Sequence, residues 1–225
     1  MDLSGLDAII FDFDGVLVES VDVKTQAFGA LYTEHGEDVV RQVKNYHRAH
    51  GGISRFEKFR YFQTEILRDA PLSDADVANL ADAFSVLVVD RVVAAPMVNG
   101  AQSFLDCAGV KLKLFVVSGT PTAELNEVLQ RRRMRQLFSG VWGSPKSKAE
   151  NISELLDTHE LRADRCVMIG DALADYDGAA ANDVPFLGRV AASDENLFVA
   201  GTTTFTDFSQ LPESWRAADI AKDID

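Results

Sequence analysis

The ten residues from Asp7 to Val16, Asp-Ala-Ile-Ile-Phe-Asp-Phe-Asp-Gly-Val, constrain this chain more than any other stretch. Ala8 to Phe11 are four consecutive apolar residues, the pattern of a short strand buried on both faces of a parallel sheet. Asp12 and Asp14 follow at once, one residue apart. Side chains two apart in an extended chain point the same way, so the two carboxylates are aimed at one site. Gly15 then lets the backbone turn away or lets a ligand come close. Two bare carboxylates at a strand end repel each other and are poor folding material unless a cation lies between them. As a plain polar exit from a strand, one Asp is common and two are not.

From Val16 to about Ala95 the pattern reads as four helices with no strand between them. Lys24 to Tyr32 carries Ala27, Phe28 and Leu31 at helical spacing and ends near His35-Gly36; Val39 to His50 is more polar and ends at Gly51-Gly52. Ser54 opens a third helix in capping-box form, with Phe59, Phe62 and Ile66 on its apolar face, and Ser73 to Val93 is the fourth. Strands then alternate with helices: helix Gly100–Ala108, strand Leu112–Val117, a helix through Arg133 capped by Thr120 with Pro121 at its first position, and strand Val141–Gly143. A helix from Ser147, strand Cys166–Ile169, a helix to about Ala181 and strand Val184–Gly188 follow, with a short strand and a closing helix expected after Thr202. This alternation predicts an α/β fold, a Rossmann-like parallel sheet with helices on both faces. The helical segment is an inserted cap: residues 17–94 against a catalytic core of 1–16 and 95–225.

A length of 225 residues, 47% hydrophobic and 25% charged, suits one large domain carrying a smaller one. The net charge of −13 argues against a nucleic-acid or anionic-membrane surface. A phosphorylated small molecule remains compatible, provided a metal and local cations reverse the field at the site. Cys107 and Cys166 lie in apolar stretches, which predicts two buried free thiols. There is no basic-plus-apolar leader and no membrane-length apolar run, giving the expectation of a soluble cytoplasmic protein, monomer or homodimer.

In open α/β sheets ligands bind at the carboxyl ends of the strands. Asp12 and Asp14 sit at one such end, and Ser118 with the N–H groups of Gly119 and Thr120 at a second, where an anion is favoured. Thr120 itself is expected to be a helix cap. A lysine after the Gly143-Ser144-Pro145 turn, either Lys146 or Lys148, adds the cation that a phosphoryl group beside acids requires. Asp171 and Asp175 follow the last of these strands on one helical face and complete a hard-oxygen pocket suited to magnesium. Seven Lys/Arg against two acids between Arg41 and Arg68 read equally as an anion-facing surface or a solvated helix face. Within that segment Gly52 and Arg55, in the loop Gly51-Gly52-Ile53-Ser54-Arg55, are the candidates for contact with the far end of a substrate, and Gly119 for contact near the phosphate. His35 and His159 look like helix-end residues with no role.

DFDGV, VVSG, the lysine and GDALAD stand in the order of the four motifs of the haloacid dehalogenase-like superfamily, and the chain resembles its helical-cap phosphatase branch, which includes phosphoglycolate phosphatase and β-phosphoglucomutase. The resemblance implies that Asp12 is the nucleophile and Asp14 the general acid and base, with Ser118 and the lysine, Lys148 in preference to Lys146, on the transferring oxygens. It also implies Mg2+ held by Asp12, the Asp14 carbonyl and Asp171, with Asp175 ligating or steering water. The substrate would be a small phosphorylated metabolite. The chain departs from the usual pattern at Glu19, where Asp is frequent, at Ala172, where a hydroxyl is, and in lacking Lys-Pro-x-Pro around the lysine. A phosphosugar mutase uses the same core, and a receiver-like signalling module is a distant rival because it is shorter and lacks the helical insert.

Overall fold

The computed structural model describes residues 5–211. Six parallel strands form one sheet: β1 (Ala8–Phe11), β2 (Lys113–Pro121), β3 (Gly140–Ser144), β4 (Cys166–Gly170), β5 (Phe186–Arg189) and β6 (Thr204–Phe205), in the order β3-β2-β1-β4-β5-β6. All four side chains of β1 are buried. Ile9 and Phe11 enter the core on one face of the sheet, and Ala8 and Ile10 enter the core on the other, which is why the strand is continuously apolar. The chain leaves β1 towards β2 and β3, then returns to the other side of β1 for β4. Strand β1 is therefore central, at the point where strand order reverses, and Phe11 is level with Val116 on one neighbour and Ile169 on the other. The residues just beyond those three positions come out on one rim.

Between β1 and β2 lie α1 (Val21–Leu31), α2 (Glu37–Ala49), α3 (Arg55–Tyr61), a π-helical turn over Phe62–Ile66, α4 (Asp74–Ala94) and α5 (Ala101–Ala108). The first four helices close on an aromatic cluster in which Phe28 lies 5.5 Å from Phe59, 5.6 Å from Phe62 and 4.2 Å from Phe84. Ser54 caps α3 by accepting from the Phe56 N–H, and Ser73 caps α4 by accepting from that of Asp76. Helices α6 (Thr122–Arg131), α7 (Lys148–His159) and α8 (Leu173–Ala180) connect the later strands. Ser147 and Glu150 form a reciprocal capping box at the start of α7.

Some boundaries differ from expectation. Strand β2 runs on to Pro121, so α6 begins at Thr122 and Thr120 is not its cap. Strand β5 begins at Phe186, two residues late, because the Val184 N–H closes the end of α8 on Ala179 and Pro185 has no N–H to give the ladder. Cys107 is half-buried, on the side of α5 that also exposes Gln102, Ser103 and Asp106, whereas Cys166 is buried. The expected closing helix lies outside the described residues. Among the described residues no helix is long and apolar enough to cross a membrane.

A buried ion pair ties the helical insert to the sheet's own helices. Arg55 of α3 donates to both carboxylate oxygens of Glu124 on α6, at 2.5 and 2.8 Å, and Ser85 of α4 donates to Glu124 at 2.5 Å. Burial alone would raise the Glu124 carboxyl, but the Arg55 bonds and charge, with Ser85, hold it below the usual glutamate range. Such a depressed carboxyl contributes stability above its unfolded pKa, and that contribution is lost as pH falls through its folded value. Glu124→Ala should therefore destabilise the protein by about 3 to 5 kcal/mol near neutral pH, with a smaller deficit in acid, as followed by urea unfolding. An equal deficit at every pH would contradict this account of the pair.

Candidate active site

Asp12 is the first residue past β1, and its N–H donates to the Ile169 carbonyl of β4 at 2.9 Å. The backbone then folds on itself: the Leu17 and Val18 N–H groups donate to the Phe13 carbonyl, and Gly15 to that of Val18. Gly15 has a φ of 76°, and a Cβ there would run into the Asp171 carboxylate, so the position excludes a side chain on both counts. Arg189, at the end of β5, fastens this loop by donating to the Gly15 carbonyl at 2.6 Å and to both oxygens of Glu19. That contact accounts for Glu19, whose longer side chain reaches Arg189 from the chain's departure position.

The Asp12 carboxylate is 3% exposed. Its Oδ2 lies 3.1 Å from Lys148 Nζ, and its buried Oδ1 accepts no hydrogen bond. Lys148 opens α7, buried, and donates to Asp175 as well. Burial works against the ammonium, but the charges of Asp12 and Asp175 outweigh it and hold its pKa above the ordinary lysine value. Lys146, two residues earlier, is exposed and pairs with Glu154. Asp171 is one residue past β4, and Asp175 reaches back from the first turn of α8 to accept from the Ala172 N–H at 3.1 Å. Ala172 has no oxygen with which to cap α8, and Asp175 closes this helix start alone.

Carboxylate oxygens of Asp12, Asp171 and Asp175 all lie within 4.8 Å of one another. Burial and then the neighbouring carboxylates Asp12 and Asp175 push Asp171 well above its ordinary pKa. Asp175 rises to about 7, through burial and Asp12, against the opposing charge of Lys148. Three acids with one lysine and an unpartnered carboxylate oxygen are short of positive charge. This donor set fits a hard divalent cation.

Asp14 faces another way. It accepts from Ser20 at 2.6 Å, from Thr120 at 3.1 Å and from Lys24. Burial would raise its carboxyl, but the charge of Lys24 and these three hydrogen bonds hold it below the usual aspartate value. Ser118, three residues before the end of β2, is 2% exposed and accepts from the Thr120 N–H at 3.2 Å. Gly51-Gly52-Ile53 lies across the opening: a Cβ on Gly119 would stand 2.5 Å from the Gly52 carbonyl oxygen, and one on Gly52 would stand 3.0 Å from Lys148 Nζ. Beneath it is a cavity of about 740 Å3 whose walls include Asp12, Asp14, Ser118, Gly52 and Arg55.

The structure thus brings Asp12, Asp14, Ser118, Gly119, Lys148, Asp171, Asp175 and Gly52 to one place. Arg55 lines the cavity with both terminal nitrogens engaged by Glu124. The basic segment divides: Arg41, Arg60 and Arg68 make exposed ion pairs, while Arg55 and Lys58 turn inward. The sequence gives Lys24 no role in the site and reads the Thr120 side chain only as a helix cap. Thr120 does not cap α6; its Oγ1 receives a bond from Lys24 at 2.6 Å and gives one to Asp14. Lys24 carried a legible signal, since it shares the i, i+3, i+4, i+7 stripe with Ala27, Phe28 and Leu31, and a charge on an apolar stripe asks for a buried partner.

A family model for haloacid dehalogenase-like hydrolases matches residues 6–183. Along 230 aligned residues the chain is 23% identical to a 6-phosphogluconate phosphatase of Escherichia coli, covering 96% of this chain and 97% of that one. Over 181 residues it is 29% identical to a phosphoglycolate phosphatase of Psychrobacter arcticus, covering 74% and 76%. Among solved structures, a mutant of CbbY from Rhodobacter sphaeroides in complex with xylulose-(1,5)-bisphosphate superposes with a TM-score of 0.72 at 17% identity, over 92% of this chain and 96% of that one. The chain belongs to the haloacid dehalogenase-like hydrolases.

Proposed function

We propose that this hydrolase is a magnesium-dependent phosphatase of a small phosphorylated metabolite that works through an aspartyl-phosphate on Asp12. The observation that carries the reading is the buried meeting of Asp12, Asp171 and Asp175 with Lys148, in which one Asp12 oxygen is left without a hydrogen bond. The names of the curated relatives favour hydrolysis over transfer to a sugar.

Asp12 Oδ attacks phosphorus and the bond to the ester oxygen breaks, with Asp14 giving that oxygen a proton. Water then attacks the phosphorus of the acyl phosphate, Asp14 takes the proton, and Asp12 leaves as a carboxylate. The charge of Lys24 favours the anion that Asp14 becomes on giving up its proton, and the proton it takes back from water restores the acid for the next turnover. Ser118, the Gly119 N–H and Lys148 bind the non-bridging oxygens. Asp12, Asp171 and Asp175, with the Asp14 backbone carbonyl, would hold Mg2+, which supplies the positive charge that lets a carboxylate approach a dianion. In this reading residues 17–94 are a cap over a core of 1–16 and 95–225, closed so that Gly52 and Arg55 wall off the substrate. The setting is cytoplasmic, and the protein acts as a monomer or homodimer without nucleic acid or membrane.

Phosphate release from a panel of phosphorylated sugars, glycolate and nucleotides should appear with Mg2+, vanish in EDTA and return when Mg2+ is restored. Asp12→Asn should lower kcat at least a thousandfold on the best ester while keeping the melting temperature within a few degrees. Activity unaffected by either change would refute the reading. Lys148→Met should cost about a hundredfold or more in kcat, and Lys146→Met less than twofold; the opposite ranking in the same assay would reassign the lysine.

A further inference from the structure

The cavity wall carries a further buried cation outside the acidic cluster. Lys58, in the last turn of α3, is 2% exposed and lines the same space as Asp12 and Ser118. Its ammonium lies 2.8 Å from Nδ1 of His47 on α2 and 5.6 Å from the centre of the Phe28 ring. Among the described residues Lys58 has no ion pair with a carboxylate. His47 is itself 7% exposed, with its ring 4.7 Å from that of Phe28. Burial first, and then the charge of Lys58, lower the His47 pKa to about 2, so the ring is neutral and its Nδ1 accepts from the ammonium.

This arrangement is poor for folding. Burying an ammonium against a neutral acceptor costs free energy that an apolar side chain of similar length would not. Burial, together with the charges of Lys24 and Lys148 across the cavity, lowers Lys58 to about 7. Among the described residues the other inward cations near the site have opposite partners: Lys148 has Asp12 and Asp175, Lys24 has Asp14, and Arg55 has Glu124. Lys58 is left to be completed by something that enters the cavity, and the missing partner is an anion.

We propose that Lys58, oriented by His47, binds a negative group on the end of the substrate remote from the transferring phosphoryl, so that the preferred ester carries a second anionic group, a carboxylate or another phosphate. This rests on the phosphatase reading. Arg55 cannot take that task without leaving Glu124, whereas Lys58 loses no counter-ion. The neutral His47 accepts one ammonium proton and leaves the other donors free for the ligand.

The test compares three monophosphate esters of a three-carbon chain ending in a hydroxymethyl group, a carboxylate or a second phosphate, assayed with Mg2+. Wild type should favour at least one anionic-ended ester over the neutral one by roughly ten- to hundredfold in kcat/KM, mostly through KM. In Lys58→Met that ratio should fall at least tenfold, and in Lys58→Arg it should be partly kept. The melting temperature of Lys58→Met should stay level or rise, since a buried charge without a counter-ion has been removed; Lys58→Gln serves if the Met variant misfolds. The better of the two anionic-ended esters tells carboxylate from phosphate. A wild-type preference for the neutral ester, or a ratio untouched by Lys58→Met, would overturn the proposal. Failure of wild type to release phosphate from any of the three would instead sink the phosphatase reading beneath it.

Discussion

Repulsion among Asp12, Asp171 and Asp175 is the constraint around which this molecule is built. Three carboxylates meet in a space that bulk water scarcely enters, and within it Lys148 is the cation that touches two of them. An arrangement so short of positive charge is not how a chain maximises its stability. It persists because the surrounding backbone leaves the side chains nowhere else to go. Strand β1 is buried on both faces and locked between β2 and β4, which fixes where Asp12 emerges. Asp175 is held by the backbone at the start of α8, and Lys148 by the capping box at the start of α7. The hydrophobic layers above and below the sheet supply the stability that the rim gives up.

The two acids of the first motif are separated by environment, although they sit two residues apart. Asp12 faces Lys148 and the other acids, while Asp14 is gathered in by Ser20, Lys24 and Thr120. The turn at Gly15 and the clamp of Arg189 on Glu19 produce this division, because they swing the chain after Phe13 out of strand geometry. In the proposed mechanism this division would leave one acid to form a bond and the other to handle protons. Lys24 and Thr120 come from opposite sides of the cleft, α1 and β2, so the environment of Asp14 exists only when the helical insert lies against the sheet.

Much of this was legible in the residues. The apolar run of β1, the strand–helix alternation after Pro96, the four inserted helices and the spacing of the motifs are local patterns, and the structure follows them closely. The helix start at Ser147 was readable for the same reason, and its capping box with Glu150 sets the register of α7. What could not be read depends on contacts between distant segments. The role of Thr120 turns on β2 running four residues past Val117, which its neighbour β3 decides through a register shift. The inward turn of Arg55 and Lys58, against the outward turn of Arg60 and Arg68, depends on where Glu124, His47 and Phe28 lie in three dimensions. A count of basic residues in that segment holds none of this. Lys24 lies between the two cases: its stripe was visible, and its partner was not.

Isothermal calorimetry of Mg2+ titrated into the purified protein, alongside Asp171→Asn, bears most directly on the idea that these carboxylates gather round one ion. The account predicts saturable binding of one ion per chain in the wild type, and binding at least tenfold weaker in the variant. Absence of binding heat at every temperature tried, with no rise in melting temperature on adding Mg2+, would contradict it, as would equal affinity in the two proteins.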